Sequence, residues 1–558
     1  YVHKGEELPN VLNYIIDTFK KESLNVKSLW LSSIPKVIYV DKLKEKYNYV
    51  KEDYILNPVI GEYDYPSKQI QGLLTLELSK EGNTIIYGSS GSGKENLITT
   101  ILYSLISNYS VYEVNSYILD FGSGVLNNFK LAPHIGDIIH SGDDEKINNL
   151  FSFVEDEIKR RKKLFESSSG TYLNYIKSNT KKCPNIVIII NSFEVFNDLY
   201  EIYYNKVIEL TRDCVRYGIY FIITSQAANN VKLKLTQNFK NNVCLQMTDE
   251  YDYTAVLGKT NGILPSKIVG RGLVKLDSIV EFQTAYPFEI DNMYEKISKW
   301  CLDLNISSAM YSAKIKVLPD IVTYSDLIER NKKYGLPCGI SKKTLNVKYI
   351  DIDNNLGYLI SSNSVDDIFN FIDNELYILN NSEMYSTAVI DMKYLYEDNK
   401  YNNILYYNSN YSDILEKIDN YFTQIYDILK NNNFQKQSIA NVKTFILIIV
   451  GIEKFFKNLK DEDKKLFDNI VNYVKDCYKL KILIIDSPGE IKKIEYESWY
   501  KDLINSNTGL WIGNGFTDQS VIRPYKYSSN DSKEIKNNFA YIVENGQSDL
   551  IKIIQDKK

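Results

Sequence analysis

Residues 87–97 read YGSSGSGKENL, and this stretch decides the fold. From Gly88 to Lys94 it satisfies G-x-x-x-x-G-K, the phosphate-binding loop. Gly88, Gly91 and Gly93 let backbone N–H groups turn toward phosphate oxygens, and the helix that follows adds the positive end of its dipole. Ser89, Ser90 and Ser92 line the turn, and Lys94 would reach the β and γ phosphates. The next position departs from the pattern. Glu95 stands where a Ser or Thr hydroxyl normally holds magnesium, with Asn96 after it.

The flanks supply the strand–loop–helix context the loop requires. Residues 83–87 (NTIIY) are β-prone. Residues 95–108 place Leu97, Ile98, Ile101, Leu102, Leu105 and Ile106 at helical spacing. Further out, apolar runs at 116–122, 185–190 and 219–224 alternate with helical patterns such as 144–166. Alternating buried strands and helices predict an α/β architecture with a parallel sheet covered on both sides. The charges of the 144–166 helix, Arg160 and Arg161 included, read as a solvated face. In nucleotide hydrolases with this loop, a later strand ends in an acidic pair that holds magnesium and orients water. Here 185–190 is followed by Asn191, and Glu194 comes two places late for a catalytic glutamate. Departures at both 95 and 191 favour nucleotide binding with slow or absent hydrolysis. The competing reading is that Glu95 itself ligates the metal, since a carboxylate suits Mg2+ although it repels phosphate.

A length of 558 residues is too great for one hydrophobic core, and the composition is that of a globular chain: 44% hydrophobic, 25% charged, net charge -5. An acidic balance without clustered Lys and Arg argues against nucleic acid as the main partner. Cys183, Cys214, Cys244, Cys301, Cys338 and Cys477 include no C-x-x-C, so neither a zinc site nor a disulfide framework is predicted. No apolar run reaches the roughly 18–20 residues that span a bilayer. The chain begins at Tyr1, which fits a piece of a longer protein with any anchor upstream. Three histidines, with no H-E-x-x-H and no G-x-S-x-G, exclude zincin and serine-hydrolase chemistry by pattern.

The second half repeats the first faintly. Ile34-Pro35-Lys36-Val37-Ile38 with Asp41 and Leu43 is matched by Leu318-Pro319-Asp320-Ile321-Val322 with Asp326 and Leu327, and Pro58–Gly61 by Pro337–Gly339. Strand patterns at 386–392, 443–450 and 480–486 and a helix at 411–429 continue it. Where a phosphate loop would recur, residues 358–372 carry neither Gly in the loop nor Lys, and Asp366 and Asp367 stand there instead. No Asp closes the 443–450 strand, and Asp486 reads as a strand-end cap. This is a degenerate module. Its end, 541–554, reads as a hairpin around Glu544-Asn545-Gly546.

Several stretches together resemble the FtsK/SpoIIIE-type ATPases, and among them the cytosolic modules of the EssC/EccC coupling proteins of type VII secretion. They are the D-x-P-x-x-Q pattern from Asp64, YILDFGSG (117–124), LAPHIGDII (131–139), RRKKLF (160–165), YGIYFIITSQ (217–226) and GRGLV (270–274). The resemblance implies two tandem P-loop NTPase (RecA/FtsK-like) modules with parallel sheets, the second degenerate. It divides the chain into an entry segment (1–60), an ATPase module (61–290), a link (291–316) and the degenerate module (317–558). It implies ATP at Gly88 through Asn96 with Asn191 and Gln226, Mg2+ as accompanying cation, and Asn191 at the Walker B aspartate. It also implies assembly into a hexamer with other ATPase modules and secretion-machine subunits at the cytoplasmic face of a bacterial membrane, acting on small helical WXG-type proteins. His134 matches a family position and reads as structural. Arg212, Arg216 and Arg271 are arginine-finger candidates. A nucleotide-free interaction scaffold and a DNA translocase are the alternative classes.

Overall fold

The computed structural model describes residues 7–22, 31–178, 183–329, 335–395, 401–407, 411–528, 531–536 and 538–557. The chain divides into two compact units, Tyr1–Lys316 and Val317–Lys558.

The first unit is built on one ten-stranded sheet. Its strands are β1 (Val59–Tyr65), β2 (Ile70–Thr75), β3 (Thr84–Tyr87), β4 (Val114–Asp120), β5 (Ile135–Ile139), β6 (Asn185–Asn191), β7 (Ile219–Ser225), β8 (Asn241–Cys244), β9 (Arg271–Lys275) and β10 (Ile279–Thr284), in the order β2-β1-β10-β9-β8-β3-β7-β6-β4-β5. The six from β8 to β5 run parallel, while β9, β10, β1 and β2 form an antiparallel flank. The sheet is therefore mixed, where the sequence pattern predicts a parallel one. Short connections such as Leu276–Ser278 permit only antiparallel neighbours, since a parallel return needs a crossover of a dozen residues.

Successive side chains of a strand face opposite ways, and both faces are buried. Ile118, Ile189 and Ile222 enter one core with the helix Lys94–Asn108; Leu119, Ile190 and Ile223 enter the other with the helices Asp144–Phe165 and Tyr204–Asp213. Lys94–Asn108 is buried from Leu97 to Ile106 without interruption. Its far side is covered by residues 34–59 and by the helix Met293–Ser307: Tyr103 packs on Trp300 and Phe288, and Val59 N–H donates to Ser104 Oγ at 2.8 Å. Each of its six large aliphatic chains contributes about 1.5–3 kcal/mol by burial. Residues 291–316, assigned from sequence to an inter-module link, thus belong to the first unit: Ile297 and Cys301 are in its core, and Ser312 Oγ donates to His134 O at 2.7 Å. Ahead of this framework, residues 9–23, whose apolar spacing predicts an amphipathic helix, fall on the helix Glu7–Lys21, which buries none of its side chains; Ser23 lies outside the described residues.

One charge assigned to solvent is in the core. Arg161 is fully buried, bonded to Glu157 (2.7 Å) and to the carbonyls of Tyr217 (2.8 Å) and Pro184 (2.7 Å). Its neighbour Arg160 does face solvent and shares Glu157, whose carboxyl the two guanidiniums hold at about 2 against the opposing effect of burial.

The second unit contains β11 (Leu336–Ser341), β12 (Val347–Ile350), β13 (Gly357–Ser362), β14 (Tyr385–Asp391), β15 (Ile404–Tyr407), β16 (Thr444–Val450), β17 (Leu480–Asp486), β18 (Ile504–Ile512), β19 (Phe539–Glu544) and β20 (Gln547–Ile553). Their order, β12-β11-β20-β19-β18-β13-β17-β16-β14-β15, is that of the first sheet strand for strand. The duplication extends to isolated bridges: Tyr39 pairs with Tyr286 beyond β10, and Thr323 with Asp556 beyond β20. The β19–β20 turn is Asn545-Gly546, both with positive φ, the two-residue hairpin geometry that matches strand twist.

Candidate functional site

In the first unit the carboxyl ends of β3, β4, β6 and β7 meet, where parallel α/β sheets place their ligand sites. Tyr87 ends β3 and Lys94 begins the next helix, leaving Gly88–Gly93 as a six-residue loop. The loop is fixed at three places: Gly88 N–H donates to Ser225 O (3.0 Å), Ser89 N–H to Gln246 O (2.7 Å) and Gly270 N–H to Ser92 O (3.0 Å). Gly93 has φ 100°, and a Cβ on it would lie 2.9 Å from the Gly270 backbone nitrogen. No other residue fits there.

The loop borders a cleft of about 370 Å³ lined by Ser89, Ser90, Gly91, Gly93, Lys94, Glu95, Asn96, Ser123, Asn191, Ser192, Gln226 and Val269. Nine of the sequence-predicted residues thus share one cavity. Three do not line it. Gly88 and Ser92 form the back of the loop, with Ser92 2% exposed. Glu194 does not line the cleft, although its charge acts on Lys94, and both its carboxylate oxygens are buried without a hydrogen-bond partner among the described residues. Lys94 Nζ donates to the carbonyls of Gly88 (2.5 Å) and Ser89 (3.0 Å). Burial pulls its pKa down, and the charges of Glu194 and Glu95 oppose that shift.

Asn191, which lines the cleft, belongs to a polar network across neighbouring strands. Asp120 and Asn191 are register partners at the ends of β4 and β6. Asn191 Nδ2 donates to Asp120 Oδ1 at 2.9 Å, and Thr224 Oγ1, on β7, donates to Asn191 Oδ1 at 2.9 Å. Asp120 Oδ1 also accepts from Gly122 N–H (3.0 Å), while Glu95 Oε1 accepts from Ser123 N–H (3.0 Å). Asp120, Gly122, Ser123 and Thr224 were not singled out as site residues from sequence. The available signal was an Asp closing an apolar strand beside the Asn that closes another. Among the described residues no three His, Cys, Asp or Glu side chains are gathered as for a metal ion. A cation here would depend on one or two carboxylates with phosphate and water, the usual Mg2+ arrangement.

The other candidates sort by burial. Arg271 is 4% exposed, bonded to Gln283 (2.9 Å) and Ile34 O (2.9 Å), and cannot reach out as a finger. Arg216 is bound to Gly170 O at 2.8 Å, and Arg212 lies exposed beside Asp213. His134 is buried, with Nε2 2.8 Å from Tyr109 O, and burial lowers its pKa. All six cysteines are buried free thiols.

In the second unit Ser361 pairs with Asp486 and Trp511 as Tyr87 pairs with Ser225 and Cys244. β13 runs one residue further than β3, to Ser362, so only Asn363 and Ser364 separate it from the helix Val365–Asn380. Ser364 caps that helix by accepting from Asp367 N–H at 3.2 Å. Val450 stands at the place of Asn191. Asp486, assigned from sequence to a strand-end cap, does accept from Ser487 N–H (2.8 Å), but it is also 1% exposed and ion-paired with Lys393.

Residues 56–260 match the model of the FtsK/SpoIIIE family. The ESX secretion system protein YukB of Bacillus subtilis is 25% identical over 514 residues, 88% of this chain and 33% of that protein. The type VII secretion system protein EssC of Staphylococcus aureus is 25% identical over 334 residues, 58% of this chain and 22% of that protein. The chain thus spans a third or less of the length of these curated relatives. Among solved structures, EssC ATPases 2 and 3 from Geobacillus thermodenitrificans superpose with a TM-score of 0.74 at 20% identity, covering 94% of this chain and 100% of theirs. EccC ATPases 2 and 3 from Thermomonospora curvata, in complex with a signal sequence peptide, superpose at 0.51 and 18% identity, covering 91% and 94%.

Proposed function

We propose that this chain, an FtsK/SpoIIIE-type ATPase module followed by a degenerate copy of the same fold, is the second and third ATPase portion of a type VII secretion coupling protein. The observation that carries the nucleotide part is the cleft itself: a complete phosphate loop, rigidly held, with Lys94 at its edge. Gly88–Gly93 and the first turn of the helix behind them bind the β and γ phosphates of ATP, with Lys94 leaving its two carbonyls to meet them. Asn191, Ser192 and Gln226 border the γ-phosphate side. Mg2+ would supply charge neutralisation there. Hydrolysis is slow, because the amide at 191 cannot hold the metal shell as a carboxylate does and Glu194 does not line the cleft. ATP then acts as a ligand that selects one arrangement of the machine over another.

The second unit, with a two-residue loop and an internal ion pair, binds no nucleotide and serves as a docking body. By analogy with EccC ATPases 2 and 3 in complex with a signal sequence peptide, the partners of this chain are secreted proteins, of the small helical WXG type. Assembly into a hexamer at the cytoplasmic face of the membrane belongs to the same proposal. No described helix of this chain is long and apolar enough to cross a bilayer.

The test is calorimetric ATP affinity, with and without magnesium, on this chain and on Lys94→Ala, with steady-state hydrolysis alongside. Binding that disappears in Lys94→Ala, with negligible turnover, is the expected result. Rapid turnover would overturn the regulatory reading. Absence of binding would leave a nucleotide-free scaffold.

A further inference from the structure

We infer that Asp120 supplies the magnesium carboxylate that position 191 lacks, with Asn191 as its positioning residue and Glu95 as the second protein ligand. This rests on the nucleotide reading above and goes further by assigning the cation.

Asp120 is 3% exposed and forms no ion pair among the described residues. Its Oδ1 is engaged twice, by Asn191 Nδ2 and Gly122 N–H. Its Oδ2 is buried and has no hydrogen-bond partner among the described residues. A carboxylate oxygen withdrawn from water and left unbonded is costly, and a bound cation is one of the few things that repays it. The position fits. Asp120 ends the strand beside β6, one strand spacing from the site where related folds place the metal aspartate, and the residue at that site holds it by a direct hydrogen bond. Glu95 flanks the same Gly122 from the helix. Its Oε1 would lie 2.8 Å from a Cβ on Gly122, and Asn191 Nδ2 would lie 2.4 Å from that Cβ. Gly122 therefore sits between the amide that fixes Asp120 and the carboxylate of Glu95, and only its missing side chain leaves room for both. Two carboxylates, phosphate oxygens and water make a set that Mg2+ accepts. The exchange also accounts for Thr224: by donating to Asn191 Oδ1 it fixes the amide so that the Nδ2 side faces Asp120.

The readout is the ratio of ATP affinity with magnesium to that without it, by calorimetry, repeated as Mn2+ affinity of the ATP complex by electron paramagnetic resonance. In the unaltered chain magnesium tightens ATP about tenfold or more, and Asp120→Asn brings the ratio close to one, the scale on which ligand changes act. The exchange variant Asp120→Asn/Asn191→Asp returns the carboxylate to β6 and restores most of the ratio. A wild-type ratio persisting in Asp120→Asn overturns the assignment. Should that variant not fold, Glu95→Gln decides in its place: a fall in the ratio supports the cation site and no change refutes it. Tight ATP binding indifferent to magnesium in the unaltered chain removes the cation site and leaves the nucleotide reading standing. No ATP binding removes both.

Discussion

Gly122→Ala is the substitution whose cost the geometry sets most directly. The added Cβ would meet Asn191 Nδ2 at 2.4 Å and Glu95 Oε1 at 2.8 Å, both far inside contact distance. Side-chain ends can normally swing away, but neither of these is loose. Asn191 is 1% exposed and bonded at both ends of its amide, to Asp120 and Thr224. Moving it strips a buried carboxylate of a hydrogen bond, a loss of about 1.5–3 kcal/mol for a charged partner. Moving Glu95 gives up only its bond to Ser123 N–H, which is exposed to solvent and so worth less, about 1 kcal/mol. Asn191 has the closer overlap, so we expect about 2 kcal/mol. Native-state hydrogen exchange localises the effect. Amides of β4 and β6 should lose protection while those of β14 and β16 keep it, and the first unit should unfold at lower urea. Gly489→Ala is the matched control. An alanine Cβ there meets nothing within 4 Å, so its effect is neutral or slightly stabilising. A change of less than about 0.5 kcal/mol in Gly122→Ala, the range of ordinary surface substitutions, would refute the packing argument.

Other consequences can be measured on the same chain. Glu375 is buried with neither oxygen bonded, and burial holds its pKa well above the ordinary glutamate range. Its stabilising influence is complete below pH 4.5 and is lost as pH rises toward the folded pKa, at about 1.4 kcal/mol per pH unit. Glu375→Gln should therefore flatten the decline in stability of the second unit between pH 5 and 8; parallel curves for the two proteins would contradict this. Arg161→Met should cost about 3–5 kcal/mol, because it leaves Glu157 and three carbonyls short of a partner, whereas Arg160→Ala, on the exposed side of the same glutamate, should cost under about 1 kcal/mol. Equal losses in urea titrations would show that burial is not what separates them. Lys393→Met should destabilise the second unit by leaving Asp486 charged and unpaired, and Lys393→Met/Asp486→Leu should recover most of that loss; a double variant no better than the single one would count against an ion pair.

The phosphate loop and the central strands were legible because their signals are local. Seven consecutive residues define the loop, and the runs at 185–191 and 219–225 are apolar on both faces, which only a covered parallel strand requires. The antiparallel flank was less legible, since β1, β2, β9 and β10 are short and their partners are fixed by connections far apart in sequence. Arg161 could not be placed from its own helix. Three of the carbonyls around it come from residues 184, 217 and 218, and their convergence exists only after folding. Asp120 posed a similar difficulty. Its adjacency to Asn191 depends on β4 and β6 being neighbours, and sequence order suggests β5 instead.

The two sheets share strand order and register, yet one carries a six-residue loop after its third strand and the other a two-residue one. Nature has thus already performed the deletion experiment. A scaffold that accommodates so much shorter a connection at its most chemically loaded turn does not rely on that turn to fold. Inheritance can then act on the turn and the framework separately: the framework answers to folding, the turn to whatever it must hold. Grafting Gly88–Gly93 in place of Asn363 and Ser364 would be a fair trial of that independence, because the receiving strands are already in register.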